Sequence, residues 1–147
     1  MADHAQPAPP SASPAEYFEP DPELGFRLRS NLRAMPGKLR VGGREIFNYT
    51  ASVGRFGWRE TRQDLRGRSD VLFFGDSFLY GSGLNDDETI PARFSAAMKG
   101  TVIAHNFGVP NWGAQQTLRV LELGREKPEL LFGRVTKAFF LVTQRQL

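Results

Sequence analysis

The sequence predicts an α/β fold: a parallel sheet with helices on both faces. Three observations predict it. Val71-Leu72-Phe73-Phe74, Val102-Ile103-Ala104 and Ala138-Phe139-Phe140-Leu141-Val142 are short, continuous apolar runs, as strands buried on both faces read. Helical patterns separate them, and strand–helix–strand–helix–strand alternation implies right-handed crossovers. Gly-rich segments follow the first two runs, at 75–83 and 108–113, at the carboxyl ends of strands where open sheets bind ligands.

The elements follow in order. Ala2 to Pro14 holds no large apolar residue, and six of the ten prolines fall in the first 22 positions. A disordered tail over 1–16 is expected, with order beginning near Tyr17 or Phe18. Residues 17–68 form an N-terminal extension. Gly42-Gly43 reads as a turn. Ile46, Tyr49, Val53 and Phe56 then give one or two short strands broken by Gly54 and Gly57. Residues 69–147 carry the α/β unit. After the first apolar run, Gly75 to Asp87 reads as a loop. Thr89 is a candidate cap and Pro91 suits a first turn, with Asp86-Asp87-Glu88 placing negative charge at the helix start. Ile90, Phe94, Ala97 and Met98 share one face, and Gly100 stops the helix. A second helix is expected over Ala114–Arg125, with Leu118, Val120 and Leu121 on its apolar side. Phe139 and Phe140 are assigned to the core.

Composition excludes several classes. The chain has 147 residues, no cysteine and two histidines, His4 and His105. That removes disulfides, thiolate zinc sites and cysteine nucleophiles. No apolar stretch approaches a membrane span, and no secretory signal opens the chain; the compartment is cytoplasmic by default. The net charge of +3 is concentrated in the first half, where Arg27, Arg29, Arg33, Lys38, Arg40 and Arg44 meet no acid between them. Without aromatic interleaving beyond Phe26, this run gives no base-stacking surface, and no nucleic-acid partner is expected. Gly81-Ser82-Gly83 lacks a following Gly-Lys-Ser/Thr, so it is no P-loop. A charged helix start accounts for Asp86-Asp87-Glu88 without a metal. No cofactor and no metal are implied.

Chemistry is expected in the two Gly-rich loops. Ser77, just past the first strand in Gly75-Asp76-Ser77, can project its hydroxyl into the crevice, unless it serves only as a turn or cap. Peptide N–H groups there can face a developing oxyanion. The second loop, Asn106-Phe107-Gly108-Val109-Pro110-Asn111-Trp112-Gly113, should lie beside it.

Val71–Ser77 (VLFFGDS), with Asn106 29 positions after Ser77 opening that second block, resembles the SGNH (GDSL-type) hydrolase family. Leu24-Gly25-Phe26, Gly57-Trp58-Arg59 and Asn85 to Pro91 resemble an extended bacterial subgroup. The likeness covers roughly residues 17–140. It implies a flavodoxin-like sheet with strand order 2-1-3-4-5 and serine esterase or lipase chemistry on a small ester or acylated substrate. Ser77 takes the nucleophile's position and its N–H that of one oxyanion donor. Asn111 stands where the family has the glycine that gives the second N–H. Asp76 orders the loop, with Gly75, Asn106 and Gly108 in support. The family's third block and its late Asp-x-x-His, which supplies base and orienting acid, have no counterpart in these 147 residues. A serine hydroxyl needs a base, and His105 is the nearby substitute to consider. The expectation is a C-terminally truncated or degenerate member, weakly active or inactive, or a non-catalytic binding module on the same fold. The strand at 138–142 is then an exposed edge open to self-association.

Overall fold

The computed structural model describes residues 14–61, 69–126 and 135–142. The expected tail lies outside them as far as residue 13, as do His4 and residues 143–147. Pro14–Tyr17 is a helical turn, α1.

The extension is more regular than its sequence suggested. β1 (Phe18–Asp21) pairs antiparallel with β2 (Gly25–Leu28). β3 (Leu32–Val41) and β4 (Arg44–Val53) form a hairpin of two ten-residue strands around Gly42-Gly43. Both glycines have positive φ, 57° and 80°, which a tight turn demands and glycine adopts without a steric cost. The expected short strands are thus one long hairpin, and much of the basic run is ion-paired. Arg27 meets Glu19 at 2.8 Å, Arg33 meets Glu60 at 2.6 Å and Lys38 meets Glu45 at 2.9 Å.

The second half is mixed α/β, a three-stranded parallel sheet flanked by helices. β5 (Ser69–Gly75), the short helix α2 (Ser77–Tyr80), α3 (Ile90–Ala97), β6 (Val102–Gly108), α4 (Ala114–Glu126) and β7 (Val135–Phe140) follow in order. β5 is central, parallel to β6 on one side and β7 on the other. The strand order is therefore second, first, third. The apolar runs predicted all three strands. The loop expected from 75 to 87 is corrected: its first part is a helical turn that begins at Ser77.

Alternating side chains of β5 feed two cores. Leu72 and Phe74 join Phe107, Trp112, Val120 and Leu123 on the α4 face, together with Leu24, Leu28, Ala51 and Val53 of the extension. Val71 and Phe73 join Leu79, Val102 and Ala104 on the other, with Phe94 of α3 against them. Extension and sheet thus share one apolar cluster.

Three burial expectations are corrected. On α3 the buried residues are Pro91, Ala92 and Ser95, whereas Ile90, Ala97 and Met98 are exposed. The Ser95 hydroxyl reaches the Val102 carbonyl at 2.9 Å, and this bond turns that side of the helix inward. On α4, Thr117, Val120 and Leu123 face the core, and Leu118 and Leu121 are exposed. Phe139 and Phe140 are 43% and 39% exposed. Phe139 packs on Phe73 and Phe94, but among the described residues nothing pairs with the outer edge of β7, whereas Arg59 bridges that of β6.

Candidate functional site

β5 delivers Gly75, Asp76 and Ser77 to the carboxyl edge of the sheet. Asp76 is the N-cap of α2, its carboxylate accepting from the Phe78 N–H at 2.9 Å. That fixes Ser77 as the first residue of the turn. The N–H groups of Gly81 and Ser82 both donate to the Ser77 carbonyl at 3.1 Å, and Gly81 closes the turn at φ 82°. Ser77 is half-buried, and Phe78 beside it is 67% exposed.

β6 delivers the second loop alongside. Gly75 and Gly108 are register partners, and the Val109 N–H donates to the Gly75 carbonyl at 3.1 Å. Asn106 is buried and joins the two loops. Its Nδ2 donates to the Leu79 carbonyl at 3.1 Å, and its Oδ1 accepts from the Gly108 N–H at 2.9 Å. Gly108 must lack a side chain, because a Cβ there would collide with the backbone of Leu79 and Tyr80. Asn111 is exposed with φ 67°, in the left-handed region that asparagine tolerates better than most residues. Trp112 Nε1 donates to the Phe26 carbonyl at 3.0 Å, tying this loop to the extension.

Among the described residues, neither the Ser77 hydroxyl nor the backbone N–H of Ser77 or Asn111 takes a hydrogen bond. One hydroxyl and two N–H donors therefore stand free on adjacent loops, at the carboxyl ends of two paired parallel strands.

His105 is not brought to Ser77. It pairs in register with Leu72, three residues before Gly75, so it sits about 10 Å short of the strand end. Its Nε2 lies 2.8 Å from Asp70 Oδ1. Burial holds the imidazole pKa below its usual value, against the opposing pull of Asp70. The imidazole sits mid-strand and faces Asp70, and the described residues do not bring it to Ser77 as a substitute base.

The acidic run is engaged elsewhere. Asp86 Oδ1 accepts from the Ser52 N–H at 3.0 Å and lies 3.4 Å from Arg59. Glu88 accepts from the Asn85 N–H at 2.7 Å. Thr89 caps α3, its hydroxyl accepting from Ala92 N–H at 3.4 Å.

The residue that sequence reasoning missed is Arg59. Its side chain is fully buried. It donates to the carbonyls of Tyr80 at 2.5 Å, Gly81 at 2.8 Å and Leu84 at 2.5 Å. Its backbone bridges Val53 on one side and Asn106 on the other. Arg59 thus joins the hairpin to the outer edge of β6 and holds the loop that follows Ser77. Its only signal in the sequence was its place in Gly57-Trp58-Arg59.

No protein-family model matches the chain, and no curated protein matches it. Among the described residues no helix is long and apolar enough to cross a membrane.

Proposed function

We propose that the chain carries the nucleophile and oxyanion-binding part of an SGNH-type serine ester hydrolase. The observation that carries this reading is a Ser77 hydroxyl and N–H without partners among the described residues, on a loop adjacent to the one that carries the equally unbonded Asn111 N–H. The strand order second, first, third also agrees with the start of the flavodoxin-like order that the resemblance implies. In this reading Ser77 Oγ attacks the acyl carbonyl carbon of a small carboxylic ester. The carbonyl π pair moves to oxygen, and the two N–H groups stabilise that charge. The Ser77 proton passes to solvent water, and collapse expels the alkoxide, which takes a proton from water to leave as the alcohol. A second water attacks the acyl-serine, releasing the acid and returning the proton to Ser77 Oγ.

Ser77 receives no base from the described residues, since His105 is held by Asp70. The 147-residue chain is therefore expected to turn over slowly, on binding and oxyanion stabilisation alone. That position of His105 favours a second reading, a non-catalytic module that binds a ligand at the same loops. A fluorophosphonate separates the two: adduct formation at Ser77 supports the hydrolase, and its absence supports the binding module.

The outer edge of β7 supports a self-association proposal. Among the described residues it has no partner strand, and Val135, Phe139, Phe140 and Val142 are 40%, 43%, 39% and 45% exposed. Such an edge is a template for pairing with a second copy. Lys137, inside the strand, is its one charged protector.

A further inference from the structure

A cleft of about 230 Å³ separates the N-terminal hairpin from the Ser77 loop. Its walls include Tyr17, Phe18, Phe47, Tyr49, Tyr80 and Ser82. Tyr80 ends the helical turn that Ser77 begins, and the Ser82 N–H donates to the Ser77 carbonyl. The cleft is therefore walled in part by the turn and loop that Ser77 begins.

The walls are aromatic by construction. Phe47 and Tyr49 meet edge to face with centroids 5.6 Å apart. The Tyr49 ring lies where a Cβ on Gly37 would stand, and Phe47 packs on Gly83 with 3.3 Å to the corresponding position there. The first contact packs the hairpin on itself, and the second holds it against the loop. An apolar cavity of about 150 Å³ accepts a benzene ring, so this cleft has room for one ring and a small substituent.

Polar groups set the substituent. The one charged residue lining the cleft, Lys38, is paired with Glu45 at 2.9 Å, so the cleft offers no unpaired charge. The Tyr17 hydroxyl donates to the Pro36 carbonyl at 2.8 Å. The Tyr80 hydroxyl is hidden from solvent and has no partner among the described residues. Burial raises its pKa, and that of Tyr17 is pushed up to about 12, with the Tyr49 phenol a contributing neighbour to both. These phenols keep their protons and cluster at the cleft as donors. The Tyr49 hydroxyl takes no hydrogen bond among the described residues, and Tyr49 lines the cleft together with Tyr80. Leaving a buried hydroxyl unpaired costs about 1–3 kcal/mol, which an entering acceptor recovers.

We propose that this cleft binds a small uncharged aryl carbonyl compound, its ring against Phe47 and Tyr49 and its carbonyl oxygen accepting from the Tyr49 and Tyr80 hydroxyls. That the ring belongs to an ester cleaved at Ser77 rests on the hydrolase reading; the binding itself does not.

The test is a titration of the whole chain with para-fluoroacetophenone, followed by fluorine NMR. This ketone cannot be hydrolysed, so its binding is independent of Ser77 reactivity, on which fluorophosphonate labelling reports separately. Saturable binding is expected, about fivefold tighter than para-fluoroethylbenzene, the factor one neutral hydrogen bond contributes. The anion para-fluorobenzoate should bind more weakly still. Ser82→Phe, at an exposed position in the mouth, should weaken the ketone at least tenfold without touching the core. The double variant Tyr49→Phe with Tyr80→Phe should erase the preference for the ketone over the hydrocarbon. No saturable binding by the wild type, equal binding of the benzoate, or full binding in Ser82→Phe would overturn the proposal.

Discussion

The Arg59 guanidinium stacks over the Tyr80 ring at 4.5 Å and donates to the Tyr80 carbonyl at 2.5 Å. One side chain thus grips both the ring and the backbone of the residue that ends the Ser77 turn. Removing it takes the donor from the Leu84 carbonyl and the cation from the buried Asp86 carboxylate, while the Tyr80 and Gly81 carbonyls keep only Asn106 Nδ2 and the Leu84 N–H. Breaking a buried ion pair by deleting one partner costs about 3–5 kcal/mol, so Arg59→Met should lose that much in urea denaturation. Arg59→Lys should lose less but still about 1–3 kcal/mol, because a single ammonium cannot reproduce the planar fork. A loss under about 1 kcal/mol in both would show that the network does not hold the loop.

His105 gives the fold a pH dependence of known sign. Its folded pKa lies below the unfolded value because burial outweighs the Asp70 contact. The neutral imidazole is therefore favoured by folding. Its contribution is complete above the unfolded pKa of about 6.5 and is lost as pH falls through the lower folded value. Urea midpoints should drop between neutral pH and about pH 5, and the slope should flatten in His105→Gln. An unchanged slope in the variant would assign the acid sensitivity to other groups.

Phe140→Lys tests the open edge. Light scattering over a concentration series should show the wild type growing in mass and the variant remaining smaller, since charge on an edge strand blocks pairing. A wild-type monomer at every concentration would refute association through β7.

Purified chain should hydrolyse short p-nitrophenyl esters weakly or not at all. A serine-hydrolase site stripped of its triad retains at most about 10³–10⁴-fold over water. Any turnover that passes through an acyl-Ser77 intermediate should be lost in Ser77→Ala, leaving only the background that oxyanion binding supports. Vigorous turnover would show that a base reaches Ser77 from outside the arrangement of the described residues, and His105→Ala would then decide whether the imidazole moves there.

The parts legible in the sequence are those that a single local signal specifies. β5 is a continuous apolar run because it is central and buried on both faces. Thr89 and Pro91 announced α3 because capping is written in adjacent residues. Asn106 and Gly108 were legible as a block, since a buried amide and a glycine against a backbone allow few substitutes. Other features depend on partners far along the chain. The β3–β4 hairpin keeps Leu39, Val41 and Ile46 exposed, so no alternation revealed its length. β7 has the same apolar composition as a central strand, and nothing in its run records that its outer edge has no partner among the described residues. The face of α3 turns on a Ser95–Val102 bond that periodicity cannot register. Arg59 is buried because three loop carbonyls converge on it, and those lie more than 20 positions downstream.

The most direct measurement is intact-mass spectrometry of the chain incubated with a fluorophosphonate, followed by peptide mapping. The Ser77 assignment predicts one adduct, slow to form and confined to Ser77, and none in a folded Ser77→Ala variant. An unmodified wild-type chain, or an adduct that persists in Ser77→Ala, would contradict it.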